Sequence, residues 1–200
     1  MIFFKPPQEL NAVLYDIHKT TERECADTFK NFYKRKWNSH IRIYGDRFYE
    51  SDVTNILKSI KGLNLGVAKI DCVFEEILNT DEFSAIQVSP NNTGLFHELN
   101  GKIYKTLKDI RTGYIRKKYR INWDKYTKEE QQRILKTGNV HVWNPHISIA
   151  SSKLPVNYKK RFPELLKFMN YQFSINEFWV EVCDLNYKHK MHYGPFQLKA

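Results

Sequence analysis

The run Trp143-Asn144-Pro145-His146-Ile147-Ser148-Ile149-Ala150 sets a histidine and a hydroxyl two residues apart in an otherwise apolar, β-branched stretch. Such a stretch favours an extended strand, in which residues i and i+2 leave the backbone on the same face. His146 and Ser148 therefore share one face, and Ile147 and Ile149 share the other. A strand of this kind buries its isoleucine face and offers its polar face to a ligand or partner. Far upstream, Ser39-His40-Ile41-Arg42-Ile43-Tyr44 repeats the build. The chain must fold so as to hold two such strands, and His40 and His146 become candidate acid and base.

The rest of the chain supplies what those strands need. Ile2 to Lys5 reads as a strand ended by Pro6-Pro7, and Gln8 to Arg35 has the helical spacing of Leu10, Val13, Leu14, Ile17, Cys25, Phe29 and Phe32, with a break near Thr20-Thr21. Asp52 to Ile60 is a short helix capped by Ser51, and Val67 to Ile77 and Phe83 to Ser89 are strands. Pro90 to Gly94 turns the chain into a helix marked by Leu95, Leu99, Ile103 and Leu107. After His146 come a helix around Tyr158 to Met169 and two last strands, Gln172 to Asp184 and Met191 to Leu198, joined by a turn at Asn186-Tyr187-Lys188. The order is α+β and contains an approximate duplication, each half offering a histidine strand, a helix and two more strands. The expected architecture is a single domain of two lobes, 1–200, with antiparallel sheets, outer helices and a central cleft carrying the two histidine strands.

Charge restricts the partner. The formal net charge is +10, which favours an anionic ligand such as nucleic acid or nucleotide. Part of the excess is local: Arg111, Arg116, Lys117, Lys118, Arg120, Lys125, Lys128, Arg133 and Lys136 face only Asp124, Glu129 and Glu130 within one segment. Tyr114, Tyr119, Trp123 and Tyr126 lie among them, an interleaving that suits base stacking or, equally, anchoring of the segment to the body. Residues 111–142 read as a basic, aromatic insert with a short helix at Lys128 to Lys136 stopped by Gly138. Cys25, Cys72 and Cys183 are odd in number and widely spaced, so neither a disulfide framework nor a thiolate zinc site is signalled. The pairs His141/His146 and His189/His192 are closely spaced, but no carboxylate or cysteine accompanies them at ligand spacing, so no metal and no cofactor is expected. No apolar stretch approaches a membrane span, and the expectation is a cytoplasmic monomer without a membrane partner.

Pro145-His146-Ile147-Ser148-Ile149-Ala150 resembles the His-φ-Ser/Thr-φ motif, φ being apolar, that occurs twice in the 2H phosphoesterase superfamily. That group includes 2'-5' RNA ligase-like proteins, cyclic phosphodiesterases and exonucleases that trim spliceosomal RNA 3' ends. His192-Tyr193-Gly194-Pro195-Phe196-Gln197-Leu198 is similar to the family's last strand, and Phe83 to Val88 with the leucine-rich helix after it is similar to another part. The first motif departs from the pattern: His40-Ile41-Arg42-Ile43 has arginine where the family has serine or threonine. Arg42 facing the cleft would hold a phosphate bidentately, which a hydroxyl cannot do; it equally fits a weakened active site.

The resemblance implies a phosphoric diester hydrolase or lyase that works without metal on RNA ends, 2',5'-linked oligonucleotides or 2',3'-cyclic phosphates. His40 and His146 would be the catalytic pair; Arg42 and Ser148 would bind substrate, with Tyr193 and Tyr44 stacking on a base or contacting phosphate. The contrasting reading is a noncatalytic nucleotide- or RNA-binding module whose altered first motif marks lost catalysis.

Overall fold

The computed structural model describes residues 1–12, 15, 16, 19, 40–80, 85–137, 144–151, 166, 169–183 and 190–200, with the backbone alone for 76–80, 85–89, 137, 148–151 and 190. Eight strands are seen among these residues: β1 (Ile2–Phe4), β2 (Ile41–Tyr44), β3 (Ile70–Thr80), β4 (Ala85–Pro90), β5 (Ile147–Ser151), β6 (Gln172–Ile175), β7 (Glu177–Cys183) and β8 (Lys190–Gln197). They form two four-stranded antiparallel sheets, ordered β2-β1-β7-β8 and β5-β4-β3-β6. With the helices Val53–Lys61, Thr93–Leu107 and Lys128–Thr137 this is the expected α+β class.

The division between sheets does not follow the two halves of the sequence. The pair β3-β4, which follows the His40 strand in the chain, joins the sheet of the His146 strand, while β7 and β8 return to the sheet of β1 and β2. The span Gln172 to Asp184, expected as one strand, is two: β6 pairs with β3, β7 pairs with β1 and β8, and exposed Asn176 lies between. The alternation changes phase there: Phe173 and Ile175 are buried before the crossing and Phe178 and Val180 after it, with the adjacent polar residues Asn176 and Glu177 between them, a break that the single-strand reading passed over. The carbonyl of Asn176 accepts from Leu198 N at 2.8 Å, tying the crossing to the residues after β8.

One apolar core joins both sheets. Ile2, Phe4, Ile41, Ile43, Phe178 and Val180 of the first meet Ile70, Cys72, Phe74, Ile147, Phe173 and Ile175 of the second, together with Phe96, Leu99, Ile103 and Leu107 from the long helix. Phe4 stands edge-on to Phe96 at 5.6 Å and Phe74 lies against Phe173 at 4.7 Å, separations at which aromatic pairs are stabilising beyond the area they bury. Helix Val53–Lys61 contributes Ile56 and Ile60. Its start differs from expectation: the turn Glu50–Asp52 precedes it, and the capping residue is Asp52 rather than Ser51.

The basic segment packs on its own small cluster. Tyr119 and Ile134 are buried, Tyr119 and Tyr126 meet edge-on at 5.9 Å, and Gln131 Nε2 donates to the carbonyls of Trp123 and Tyr126. Thr127 and Glu130 close a reciprocal capping box at the start of Lys128–Thr137: Thr127 N donates to Glu130 Oε2 and Glu130 N to Thr127 Oγ1. Arg111 pins the segment to the body through an ion pair with Asp46 and a hydrogen bond to the Leu135 carbonyl. The expected helix stop at Gly138, the helix at 158–169 apart from its last residue and Leu166, and the turn at 186–188 lie outside the described residues.

Candidate functional site

His40 and His146 occupy matching positions. Each stands one residue before a strand, β2 or β5, and among the described residues each of those strands is the edge of its sheet. The next residue, Ile41 or Ile147, is buried in the core. The match extends to the irregularities. Along β1, Phe3 pairs with Arg42 but Ile2 with Tyr44, so Ile43 is an extra residue in β2; along β4, Gln87 pairs with Ser148 but Ile86 with Ala150, so Ile149 is extra in β5. Both bulges fall three residues after the histidine. Arg42 and Ser148 are thus equivalent in register, each the last regularly paired residue before a bulge.

His146 is mostly buried, and its Nδ1–H donates to the Asn144 carbonyl at 2.6 Å. A carbonyl can only accept, so the proton sits on Nδ1 and the lone pair on Nε2, ready to take a proton. Burial pushes the His146 pKa below the usual value; the Asn144 hydrogen bond raises it, and the positive charges of Arg42 and His40 lower it further. Residues from the two histidine strands therefore lie within electrostatic reach of one another. His40 itself is half-buried, edge-on to the Phe3 ring at 5.6 Å. The side chain of Arg42 runs beside Gly45, where an added Cβ would stand 3.6 Å from its Cδ. The Ser148 side chain, His141, Trp143 and His189 lie outside what is described.

Two expected substrate contacts sit elsewhere. Simple alternation puts Tyr44 on the Arg42 face, but the bulge at Ile43 turns it to oppose Ile2 on the core side. It is 3 % exposed, its hydroxyl donates to Asp46 Oδ2 at 3.0 Å, and burial with the adjacent carboxylate raises its pKa. Tyr44 is a packing residue. Tyr193 pairs with Val180, a core residue, and packs partly buried against the core, its hydroxyl near Met191 Sδ at 3.6 Å. The register slips beyond it at Gly194, where a φ of 126° and a 3.1 Å clearance between a would-be Cβ and the Phe178 carbonyl would strain any other residue.

The sequence reading missed the other side of the same sheet. Phe3 pairs with Arg42 on one flank and Trp179 on the other, so the three share the face opposite the core. Glu181, two residues past Trp179 on that face, pairs with His192. Its Oε2 lies 2.9 Å from His192 Nε2, and the His192 ring is edge-on to Phe3 at 5.9 Å. Phe3 is only 2 % exposed yet stands apart from the main core, lying between the two imidazoles. The available signal was Glu181, an acid inside the apolar run Phe178-Trp179-Val180-Glu181-Val182. Among the described residues no group of three or more His, Cys, Asp or Glu could hold a metal ion, and no helix is long and apolar enough to cross a membrane.

No family model matches the chain, and no curated protein matches it. Among solved structures it is similar to the protein TT0787 of Thermus thermophilus, with a TM-score of 0.55 and 13 % identity over 99 % of this chain and 96 % of that one. The two share a fold over nearly their whole lengths. Usb1 of Kluyveromyces marxianus aligns over 98 % of this chain and 96 % of its own at a TM-score of 0.47 and 10 % identity.

Proposed function

We propose that the protein is a phosphodiesterase of the 2H type that acts without metal on RNA ends, 2',5'-linked oligonucleotides or 2',3'-cyclic phosphates. The observation that supports this reading is the equivalence of the two histidine strands: one offset from strand start, one offset to a bulge, and a histidine in one that feels the charges of the other. His146, kept neutral with its lone pair on Nε2, is the base. It takes a proton from water, or from the neighbouring ribose hydroxyl, as that oxygen bonds to phosphorus. The bond from phosphorus to the departing ribose oxygen breaks, and His40, entering as the imidazolium, gives that oxygen its proton. General acid and base each contribute on the order of 10²- to 10⁴-fold. Arg42, standing where Ser148 stands in the other strand, binds the non-bridging oxygens as charge builds on them.

Arg42 also motivates the second reading, a binding module that has lost turnover. The test is hydrolysis, in EDTA, of a panel of 2',3'-cyclic mononucleotides, 2',5'- and 3',5'-linked oligoadenylates and cyclic dinucleotides by the native protein, His146→Ala and His40→Ala. Turnover of a panel member, lost in both variants while affinity is largely kept, is the expected result. Loss in His146→Ala alone removes His40 from the mechanism. Binding without turnover by the native protein establishes the binding module instead.

A further inference from the structure

The loop that leaves the His40 strand is clasped to the start of the basic segment. Thr112 makes the clasp: its N–H and its hydroxyl both donate to the Arg47 carbonyl at 3.2 Å, and the same hydroxyl accepts from Tyr114 N at 3.3 Å. Gly113, at a φ of 64°, turns the chain between Thr112 and Tyr114. Tyr114 is thereby brought under Arg47, whose guanidinium carbon stands 3.8 Å from the ring centroid, a flat cation laid on an aromatic face. Arg47 is exposed and Tyr114 is 40 % exposed, so the stacked pair ends in open surface. Tyr49, two residues past Arg47, is 65 % exposed.

Single exposed aromatics are ordinary, and a cation–ring stack can serve only to fasten a loop. Fastening is already provided here by the two Thr112 bonds and by the ion pair of Arg111 with Asp46. That ion pair, the Tyr44 hydroxyl and Arg47 N also occupy the Asp46 carboxylate, so among the described residues the Arg47 guanidinium has no carboxylate partner. Glu50 and Asp52, the acids that follow, lie in the turn that opens the helix Val53–Lys61. Across the clasp the charge is of one sign: from Arg111 to Arg120 the chain has five basic residues and no acid, and Arg116, Lys117, Lys118 and Arg120 are exposed. The patch also adjoins the proposed reaction centre. The Arg42 side chain lies along Gly45, where an added Cβ would stand 3.9 Å from its Nε, so one arginine reaches from β2 toward the loop that carries the next.

We propose that Arg47 and Tyr114 form a stacking platform for a base of single-stranded RNA, outside the cleft, on the stretch of strand that runs on from a phosphate held at Arg42. The inference rests on the proposed phosphodiesterase reading and gives that enzyme a preference for oligonucleotides over mononucleotides. A base stacks on a guanidinium plane as it does on an aromatic ring. The tyrosine beneath holds the guanidinium in place beforehand, so less freedom is lost when a base arrives. Stacking tolerates any base, and the platform therefore lengthens the grip on the strand without reading its sequence.

The experiment measures dissociation constants by fluorescence anisotropy for labelled 2'-O-methyl oligoadenylates, from the dinucleotide to the decanucleotide, and for the decanucleotide paired with its complement. The proteins are the native chain, Tyr114→Ala, Tyr114→Phe, Arg47→Ala and Arg47→Lys. The native protein is expected to gain affinity once the strand is long enough to reach the platform. Tyr114→Ala and Arg47→Ala are expected to weaken binding of the decanucleotide by about 5- to 150-fold, as the loss of one stacked base does, with the loss confined to strands of that reach. Tyr114→Phe keeps the ring and most of the gain, whereas Arg47→Lys keeps the charge without the plane and loses most of it. Affinity that does not rise with length in the native protein, or that rises equally in Tyr114→Ala, overturns the inference. Full recovery in Arg47→Lys, or a duplex bound as tightly as the single strand, overturns it too, because charge alone then accounts for binding. An equal loss at every length shows instead that the loop supports the His40 strand, and likewise overturns it. Turnover of a 2',3'-cyclic mononucleotide and of unmodified oligoadenylates is followed separately: its absence throughout refutes the enzyme reading, while the length dependence of affinity still decides the platform.

Discussion

Asn100 holds the bulge that shapes the His40 strand. It is the polar residue on a helix face otherwise made of Phe96, Leu99, Ile103 and Leu107, it is 8 % exposed, and its Nδ2 donates to the Ile43 carbonyl at 2.6 Å. Ile43 is the extra residue of β2, and a bulge takes such a residue out of regular pairing. Asn100→Ala removes the donor and leaves a buried carbonyl unsatisfied, at a cost of about 1–3 kcal/mol. Alanine returns up to roughly 0.7 kcal/mol through helix propensity. With the full propensity return the net destabilisation is about 0.3–2.3 kcal/mol. At an m-value of about 2.5 kcal/mol/M, the urea midpoint falls by roughly 0.1–0.9 M. Asn100→Asp keeps the shape but has no donor when ionised, so it sets a carboxylate against a carbonyl and lowers the midpoint further than alanine does. Glu98→Ala, on the exposed side of the same helix, breaks only its 3.0 Å ion pair with Lys102 and shifts stability by no more than about 0.5 kcal/mol. A midpoint for Asn100→Ala equal to that of Glu98→Ala, or an aspartate variant more stable than the alanine one, refutes the role given to this hydrogen bond.

The depressed His146 pKa, caused first by burial, makes stability acid-sensitive: between the folded value and about 6.5 the unfolded chain binds a proton that the folded chain does not, so stability falls as pH drops through that window. His146→Gln should flatten the change in Tm between about pH 7 and pH 5, and an unaltered slope would contradict the assignment. Tyr44→Phe loses its bond to Asp46 and should cost about 0.5–1.5 kcal/mol with nucleotide affinity unchanged; a selective loss of affinity would return Tyr44 to the site. Replacing exposed Lys117, Lys118 and Arg120 by glutamine should make the salt dependence of RNA binding shallower by about 0.7 in log–log slope for each phosphate contact removed, with Tm unchanged, and an identical slope would exclude this face from binding.

Elements with strong local patterns were legible in the sequence. The leucine and isoleucine spacing of the helix Thr93–Leu107 and the alternation of β2 and β5 are set by which residues reach the core, and the pattern records that directly. Sheet membership was not legible. Alternation states which face of a strand is apolar but not which neighbour pairs with its edge, so the exchange of β3-β4 and β7-β8 between sheets could not be read from it. The basic segment shows the same limit in its aromatics: Tyr119 and Tyr126 pack on each other, while Tyr114 is 40 % exposed beneath the Arg47 guanidinium at 3.8 Å, and composition alone treats all three alike.

At the candidate site, the faces expected from simple alternation and those observed part at the bulge in β2. His40 and Arg42 precede the extra residue of β2 and keep the alternation that the sequence implies, whereas Tyr44 follows it and is turned to the core. On β8 the register slips after Tyr193, so His192 and Tyr193 keep opposite faces and it is the histidine, paired with Glu181, that stands on the Phe3 side. A bulge increases twist and re-aims the strand at the cost of one unpaired residue. Both histidine strands carry theirs at the same offset, three residues after the imidazole. A bulge formed only to add twist at a sheet edge has no reason to keep a fixed distance from a histidine in two different sheets; one that sets the course of the two histidine strands does. Moving the bulge should therefore disturb activity more than stability: deleting Ile149 would place Ala150 in its position, keep most of the apolar face, and shift the strand beyond Ser148 by one residue. Turnover that survives this deletion in a folded protein would show that the shared offset has no bearing on the chemistry.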